Sequence, residues 1–203
     1  MQRGAIILCG GKSSRMGRDK ATLPFGSELM LQRVVRLIGE VVHRANIAVV
    51  AAPDQALPDL PSEVQVAYDS TAYRGPLEGL ATGFRALAGR ADAVYASACD
   101  VPLLAPAFVE RMFELVGDHD IAVPYDGEYH HPLAAVYRAS VFPQIERLLA
   151  ADRLRPRFLF DEANTLEVSV EELRTVDPEL ATLKNLNRPE DYENALRTAN
   201  VNQ

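Results

Sequence analysis

The stretch GAIILCGGKSSRMGRDK, residues 4–20, runs an apolar segment directly into a loop with two adjacent glycines and four basic side chains. Ala5 to Cys9 read as a buried strand. In an open α/β sheet, ligands gather outside the carboxyl ends of the strands, so a glycine-rich basic loop leaving a first strand reads as an anion site. Gly10 and Gly11 let backbone N–H groups approach an anion closely. Lys12, Arg15, Arg18 and Lys20 add charge that can neutralise a polyphosphate. Two familiar phosphate loops are excluded by spacing. A P-loop ending on Gly11-Lys12-Ser13 would need a glycine where Ile6 stands, and the dinucleotide fingerprint would put its second glycine on Lys12 or Ser13. The alternative is a surface loop with solvated charges.

Working outward, apolar β-branched runs alternate with amphipathic stretches of helical period. Strands are expected at 4–9, 44–52, 64–69, 92–99 and 120–125, with helices at 29–42, 75–89 and 106–117. Near-continuous apolar strands imply a sheet covered on both faces. The expected fold class is therefore α/β, a three-layer α/β/α sandwich on a mostly parallel, Rossmann-like sheet, with 1–203 forming a single domain. The second half is less regular. Residues 132–138 are a candidate strand, a helix is expected to start near Pro143, and Asn187 is expected to cap a last helix with Pro189 in its first turn. The final residues, NVNQ, are expected to fray.

The chain has 203 residues, 48% of them hydrophobic, and a net charge of −7. That acidic balance argues against nucleic acid and anionic membrane as partners. No apolar run is long enough to span a bilayer or serve as a signal peptide, which points to the cytoplasm. The two cysteines, Cys9 and Cys99, provide neither a disulfide framework nor a zinc spacing.

LCGGKSSRMGRDKATLPFG (8–26) resembles the opening signature of nucleotidyltransferases, and within them the molybdenum cofactor guanylyltransferase family. Four further stretches resemble family elements in the same order: YDSTAYRGPLEGL (68–80), ASACDVPLL (96–104), HHPLAAVYR (130–138) and NLNRPEDY (185–192). The resemblance implies transfer of GMP from GTP to the terminal phosphate of molybdopterin, with pyrophosphate leaving and Mg²⁺ as cofactor. It places Leu8, Cys9, Gly10, Gly11, Lys20, Asp69 and Asp100 on the nucleotide. It further implies that Lys20, Arg15 and Asp100 carry the catalysis and that Asp100 holds the metal. On the acceptor side it implies His131, Asn185 and Asn187. A monomer is expected, with a cofactor-delivery or cofactor-accepting protein as a further partner class.

The bare residues leave alternatives open. Asp100 and Asp69 each follow a strand, where an aspartate also serves ordinary turns and caps. Asn185 and Asn187 suffice physically as a strand end and a cap. His130 and His131 are adjacent, so on a strand they would face opposite ways and could not share one ion. Arg153, Arg155 and Arg157 read as an anionic-acceptor contact or as a solvated face. Cys9 and Cys99 have no histidine in their motifs to activate a thiol, and they read as filling small spaces under the loop. One departure concerns the base: where the family carries an asparagine after the second strand, this chain has Ala51 and Ala52. Cytidylyl transfer, or nucleotidyl transfer to a sugar or alcohol phosphate, is the neighbouring reading, and a non-catalytic binding module the distant one.

Overall fold

A computed structural model describes residues 1–9, 19–70 and 74–200. Nine strands are described: β1 (Arg3–Leu8), β2 (Pro24–Phe25), β3 (Glu28–Leu29), β4 (Ile47–Ala51), β5 (Gln65–Tyr68), β6 (Ala93–Ala98), β7 (Ile121–Tyr125), β8 (Val136–Arg138) and β9 (Thr165–Ser169). The helices are α1 (Met30–Ile38), α2 (Pro76–Ala86), α3 (Pro106–Leu115), α4 (Phe142–Ala150), α5 (Arg157–Glu162), α6 (Val170–Leu173) and α7 (Pro189–Thr198). Seven strands form one sheet in the order β5-β4-β1-β6-β8-β7-β9, while β2 and β3 pair separately as a short hairpin. Within the seven-stranded sheet, among the described residues, β8 alone runs antiparallel to its neighbours.

The strand pattern explains the layers. Along β1, Ala5 and Ile7 enter a core with α1 and α3, while Ile6 enters a second core with α2 and α4. The central strands are buried on both faces, as helix-covered parallel sheets require. The expected three-layer α/β sandwich is the observed one. A third, smaller cluster joins Leu23, Phe25 and Met30 to Leu186, Ala195 and Leu196, so the segment after the basic loop packs on the C-terminal helix.

Two glycines are demanded by geometry. Gly75 precedes Pro76 with φ of 89°, a left-handed conformation that side chains resist, and turns the chain into α2. At Gly79 a Cβ would lie 2.9 Å from the Leu8 side chain, so the absence of a side chain lets α2 sit close on β1.

Several local expectations are corrected. Residues 44–46 form a 3-10 turn, and the strand begins at Ile47. The helix expected over 29–42 ends at Ile38, where Gly39 caps it. Of the stretch 132–138, Pro132–Ala134 is a 3-10 turn and only Val136–Arg138 pairs. Asn187 does not cap α7: Arg188 holds the cap position, and the Asp191 carboxylate accepts from the N–H groups of Asn187 and Arg188 at 3.0 and 2.9 Å. The Asn187 side chain is thereby left for another partner.

Candidate active site

The chain steps from β1 outward to β4 and β5, then crosses back to β6 on the other side of β1. The crevice at such a reversal is where α/β sheets hold ligands. The basic loop leaves β1 there, and Asp100 leaves β6 beside it. Gly10, Gly11 and Arg15 lie outside the described residues; the loop's two ends do not.

Asp19 opens the second end. Its Oδ1 accepts the Ala21 N–H at 3.0 Å and caps the 3-10 turn Lys20–Thr22. That turn aims the Lys20 ammonium across the crevice. Lys20 Nζ donates to Asp100 Oδ2 at 2.7 Å and to Asn187 Oδ1 at 2.9 Å. Asn185 Nδ2 donates to the other Asp100 oxygen, Oδ1, at 2.7 Å. The Asp100 carbonyl accepts the Leu186 N–H at 3.0 Å, which fixes the asparagine segment against the strand end.

The Lys20 and Asp100 side chains are only 16% and 11% exposed. Desolvating such a pair is costly unless further hydrogen bonds offset it, and here Asn187 adds one to Lys20 and Asn185 one to Asp100. Four residues separated by up to 167 positions thus form one connected polar group. Asn185 and Asn187, assigned by resemblance to the acceptor, bond directly to Asp100 and Lys20.

The other assigned residues are placed more loosely. Leu8 ends β1 and packs on Gly79. Cys9 continues the ladder, its N–H donating to the Val50 carbonyl at 2.8 Å. Cys9 and Cys99 are free and buried, and their mutual contact together with burial pushes the Cys9 thiol well above its ordinary pKa. A thiol so held is a poor nucleophile, in keeping with a packing role. Asp69 follows β5, and its carboxylate accepts from Thr82 Oγ1 at 2.8 Å. Burial raises its pKa, the Thr82 bond opposes that rise, and Glu78 adds to it.

The two histidines precede β8 instead of lying on a strand, and they bond different carboxylates. His130 Nε2 meets Glu167 at 2.6 Å and His131 Nε2 meets Asp126 at 3.2 Å. Both border a cavity of about 260 Å³ that Leu133, Thr182 and Asn185 also line. Since Asn185 also bonds Asp100, this cavity adjoins the Lys20–Asp100 pair. Of Arg153, Arg155 and Arg157, Arg153 pairs with Glu162 at the end of α5.

Among the described residues no group of three or more histidines, cysteines or carboxylates stands together as a metal cage. Asp100 alone fits a Mg²⁺ ion, which characteristically takes one or two carboxylates and completes its shell with water and substrate phosphates. The lysine on Asp100 Oδ2 marks the same spot as one that calls for positive charge.

The residues 5–167 match the model of the MobA-like NTP transferase domain. Curated relatives extend the match to nearly the whole chain. A probable molybdenum cofactor guanylyltransferase of Methanosarcina mazei is 34% identical over 205 residues, covering 96% of this chain and 90% of its own. One from Mycolicibacterium paratuberculosis is 37% identical over 181 residues, covering 86% and 88%. Among solved structures, molybdopterin-guanine dinucleotide biosynthesis protein A of Archaeoglobus fulgidus superposes with a TM-score of 0.76 at 21% identity, covering 98% of this chain and 99% of its own. A 4-diphosphocytidyl-2C-methyl-D-erythritol synthase of Anaerococcus prevotii superposes with a TM-score of 0.69 at 13% identity, covering 98% and 96%. The fold is therefore shared by proteins named for different bases. The chain belongs to the MobA-like NTP transferase family, in the branch of the molybdenum cofactor guanylyltransferases.

Proposed function

We infer that this protein is a molybdenum cofactor guanylyltransferase, joining GMP from GTP to the terminal phosphate of molybdopterin. The reading rests on one observation above others: sequence identity of 34% sustained over 96% of the chain, with Lys20, Asp100, Asn185 and Asn187 all converging on the strand-end crevice.

A terminal phosphate oxygen of the acceptor attacks the α-phosphorus of GTP, a P–O bond forms, and the bond to the β-phosphate breaks as pyrophosphate leaves. Both reactants are anions, so catalysis consists of bringing them together and stabilising the leaving charge. Lys20 supplies a positive group on the nucleotide side, with Arg15 and the Gly10 and Gly11 amides in the same role. Asp100 would hold Mg²⁺, with nucleotide phosphates completing the shell. When bound, Mg²⁺ neutralises phosphate charge and polarises phosphoryl oxygens. Asn185 holds the Asp100 carboxylate in orientation, and Asn187 does the same for the Lys20 ammonium. No side-chain nucleophile is required, which agrees with two buried cysteines.

Asp69 stands on the guanosine side of the crevice in this reading. The cavity beside His131 and Asn185 suits the acceptor, because it opens next to the pair that meets the phosphates. No helix among the described residues is long and apolar enough to cross a membrane. A cytoplasmic monomer acting as one domain, with handover of its product to an accepting protein, completes the proposal.

Thermal stability measured with Mg²⁺ and, separately, GTP, CTP, ATP and UTP tests the reading first. A ligand at about 100 times its dissociation constant adds roughly 2.7 kcal/mol to a folded state that alone binds it. Selective stabilisation by GTP, followed by pyrophosphate release on adding molybdopterin, is expected. A selective response to CTP moves the protein to cytidylyl transfer.

A further inference from the structure

Gln55 belongs to none of the motifs in the sequence, yet its side chain is fully used. It lies in the turn after β4, where its Oε1 accepts the Ala52 N–H at 3.0 Å. Its Nε2 donates to Asp19 Oδ2 at 2.8 Å and to the Cys9 carbonyl at 3.4 Å. Cys9 and Asp19 are the residues immediately before and after the loop 10–18. One amide therefore touches both ends of that loop from a third segment of chain.

We propose that Gln55 is a positioning residue for nucleotide binding: it ties the two ends of the glycine loop together and, through Asp19, sets the aim of Lys20. The inference rests on the nucleotidyl-transfer reading above. The Asp19 carboxylate divides its oxygens, Oδ2 taking Gln55 and Oδ1 capping the turn that begins with Lys20. A shift of Asp19 is a shift of Lys20, whose ammonium must meet Asp100 and Asn187 within hydrogen-bond distance. Holding Cys9 and Asp19 in place before the nucleotide arrives removes part of the ordering cost that binding would otherwise have to overcome.

The residue type matters. A primary amide offers an acceptor and two N–H donors in one plane, and here the acceptor faces an N–H while the donors face a carboxylate and a carbonyl. Ala51 and Ala52 lack the amide that the family resemblance leads one to expect at this rim. Gln55 supplies one three residues on, directed at the loop ends.

The test is Gln55→Glu, alone and combined with Asp19→Asn, with GTP affinity measured by titration calorimetry and the unliganded Tm recorded for each. Alone, the substitution sets a carboxylate against the Asp19 carboxylate and the Cys9 carbonyl. GTP is expected to bind at least about tenfold more weakly, less than the value of one hydrogen bond to a charged group. The loss should fall on KM for GTP, not on kcat. In the double variant the introduced amide at position 19 can donate to the introduced carboxylate while its oxygen still caps the turn, and most of the affinity should return. A merely structural role would lower Tm and leave the affinity of the folded protein unchanged, and that result overturns the proposal. So does a double variant no better than the single one. Should Gln55→Glu fail to fold, Gln55→Met removes the same donors without adding charge; unchanged GTP affinity there overturns the proposal equally. A wild type that binds no GTP overturns the proposed function and this inference with it, whereas a wild type that binds GTP beside unaffected variants overturns the inference alone.

Discussion

At the carboxyl ends of β5 and β6 the chain carries the same local signal, an aspartate within two residues of a strand end, and the fold puts the two to different uses. Among the described residues the Asp69 carboxylate meets a neutral hydroxyl, Thr82 Oγ1, and its burial near Glu78 makes the charged form harder to keep. Asp100 is more deeply buried, yet it meets the Lys20 ammonium on one oxygen and the Asn185 amide on the other. The second strand end is thus the one where, among the described residues, the carboxylate is paired with a cation. The difference comes from what the rest of the chain delivers to each strand end: α2 brings a threonine to β5, while the basic loop and the tail bring a cation and two amides to β6.

The sharpest way to break this contrast is Asp100→Asn. Turnover measured by pyrophosphate release should fall by about 10² to 10³-fold, comparable to losing one preorganised electrostatic group, while Tm shows the fold retained. Near-wild-type turnover would remove Asp100 from the site. Lys20→Ala should raise KM for GTP by about thirtyfold, within the range of one charge-assisted hydrogen bond. The same variant should bind Mn²⁺ more tightly than the wild type without nucleotide, measured by electron paramagnetic resonance, because Asp100 Oδ2 is released. Weaker Mn²⁺ binding would contradict the view that Lys20 stands where positive charge is wanted. Asn185→Ala frees the Asp100 carboxylate it holds, and about a tenfold loss of turnover is expected, as for groups that orient a metal ligand.

Asp69→Asn should have the smallest effect, and of opposite sign on stability. Burial raises the folded-state pKa of Asp69 above its unfolded value, so the charged form destabilises the fold at neutral pH. The substitution should raise Tm by about 2 °C at pH 7. As pH falls through the raised pKa toward the ordinary carboxyl range, the wild type takes up its proton and the difference should vanish. A difference that grows on acidification would show that Asp69 is held as a carboxylate after all, and the contrast with Asp100 would collapse.

Legibility in the sequence followed the range of the interactions. The strands and helices of the first half could be read because burial on both sheet faces writes continuous apolar runs, and Gly75-Pro76 marks the start of α2 by its own backbone constraints. The hairpin β2–β3 and the strand β9 carry no such mark. The hairpin strands are two residues each, and β9 lies at the sheet edge with Val168 as the one buried residue of its five. Asn187 shows the limit for single residues. By itself it has every property of a helix cap, but Asp191 reaches back to perform that service and frees the asparagine for Lys20.

The sequence by itself determined the α/β layering, the strand-end location of the basic loop and the candidacy of Lys20 and Asp100, because strand burial and residue chemistry are local properties. Only the tertiary structure decided that Asn185 and Asn187 would complete that pair. The hairpin after the loop and helix α7 share one small core of Leu23, Phe25, Met30, Leu186, Ala195 and Leu196, and Tyr192 also donates its hydroxyl to the Pro24 carbonyl. Burying that apolar surface brings residue 20 to residue 187. Gln55 likewise became visible only when the turn after β4 was placed beside both ends of the loop, since nothing in an isolated PDQA turn says which carbonyl or carboxylate its amide will find.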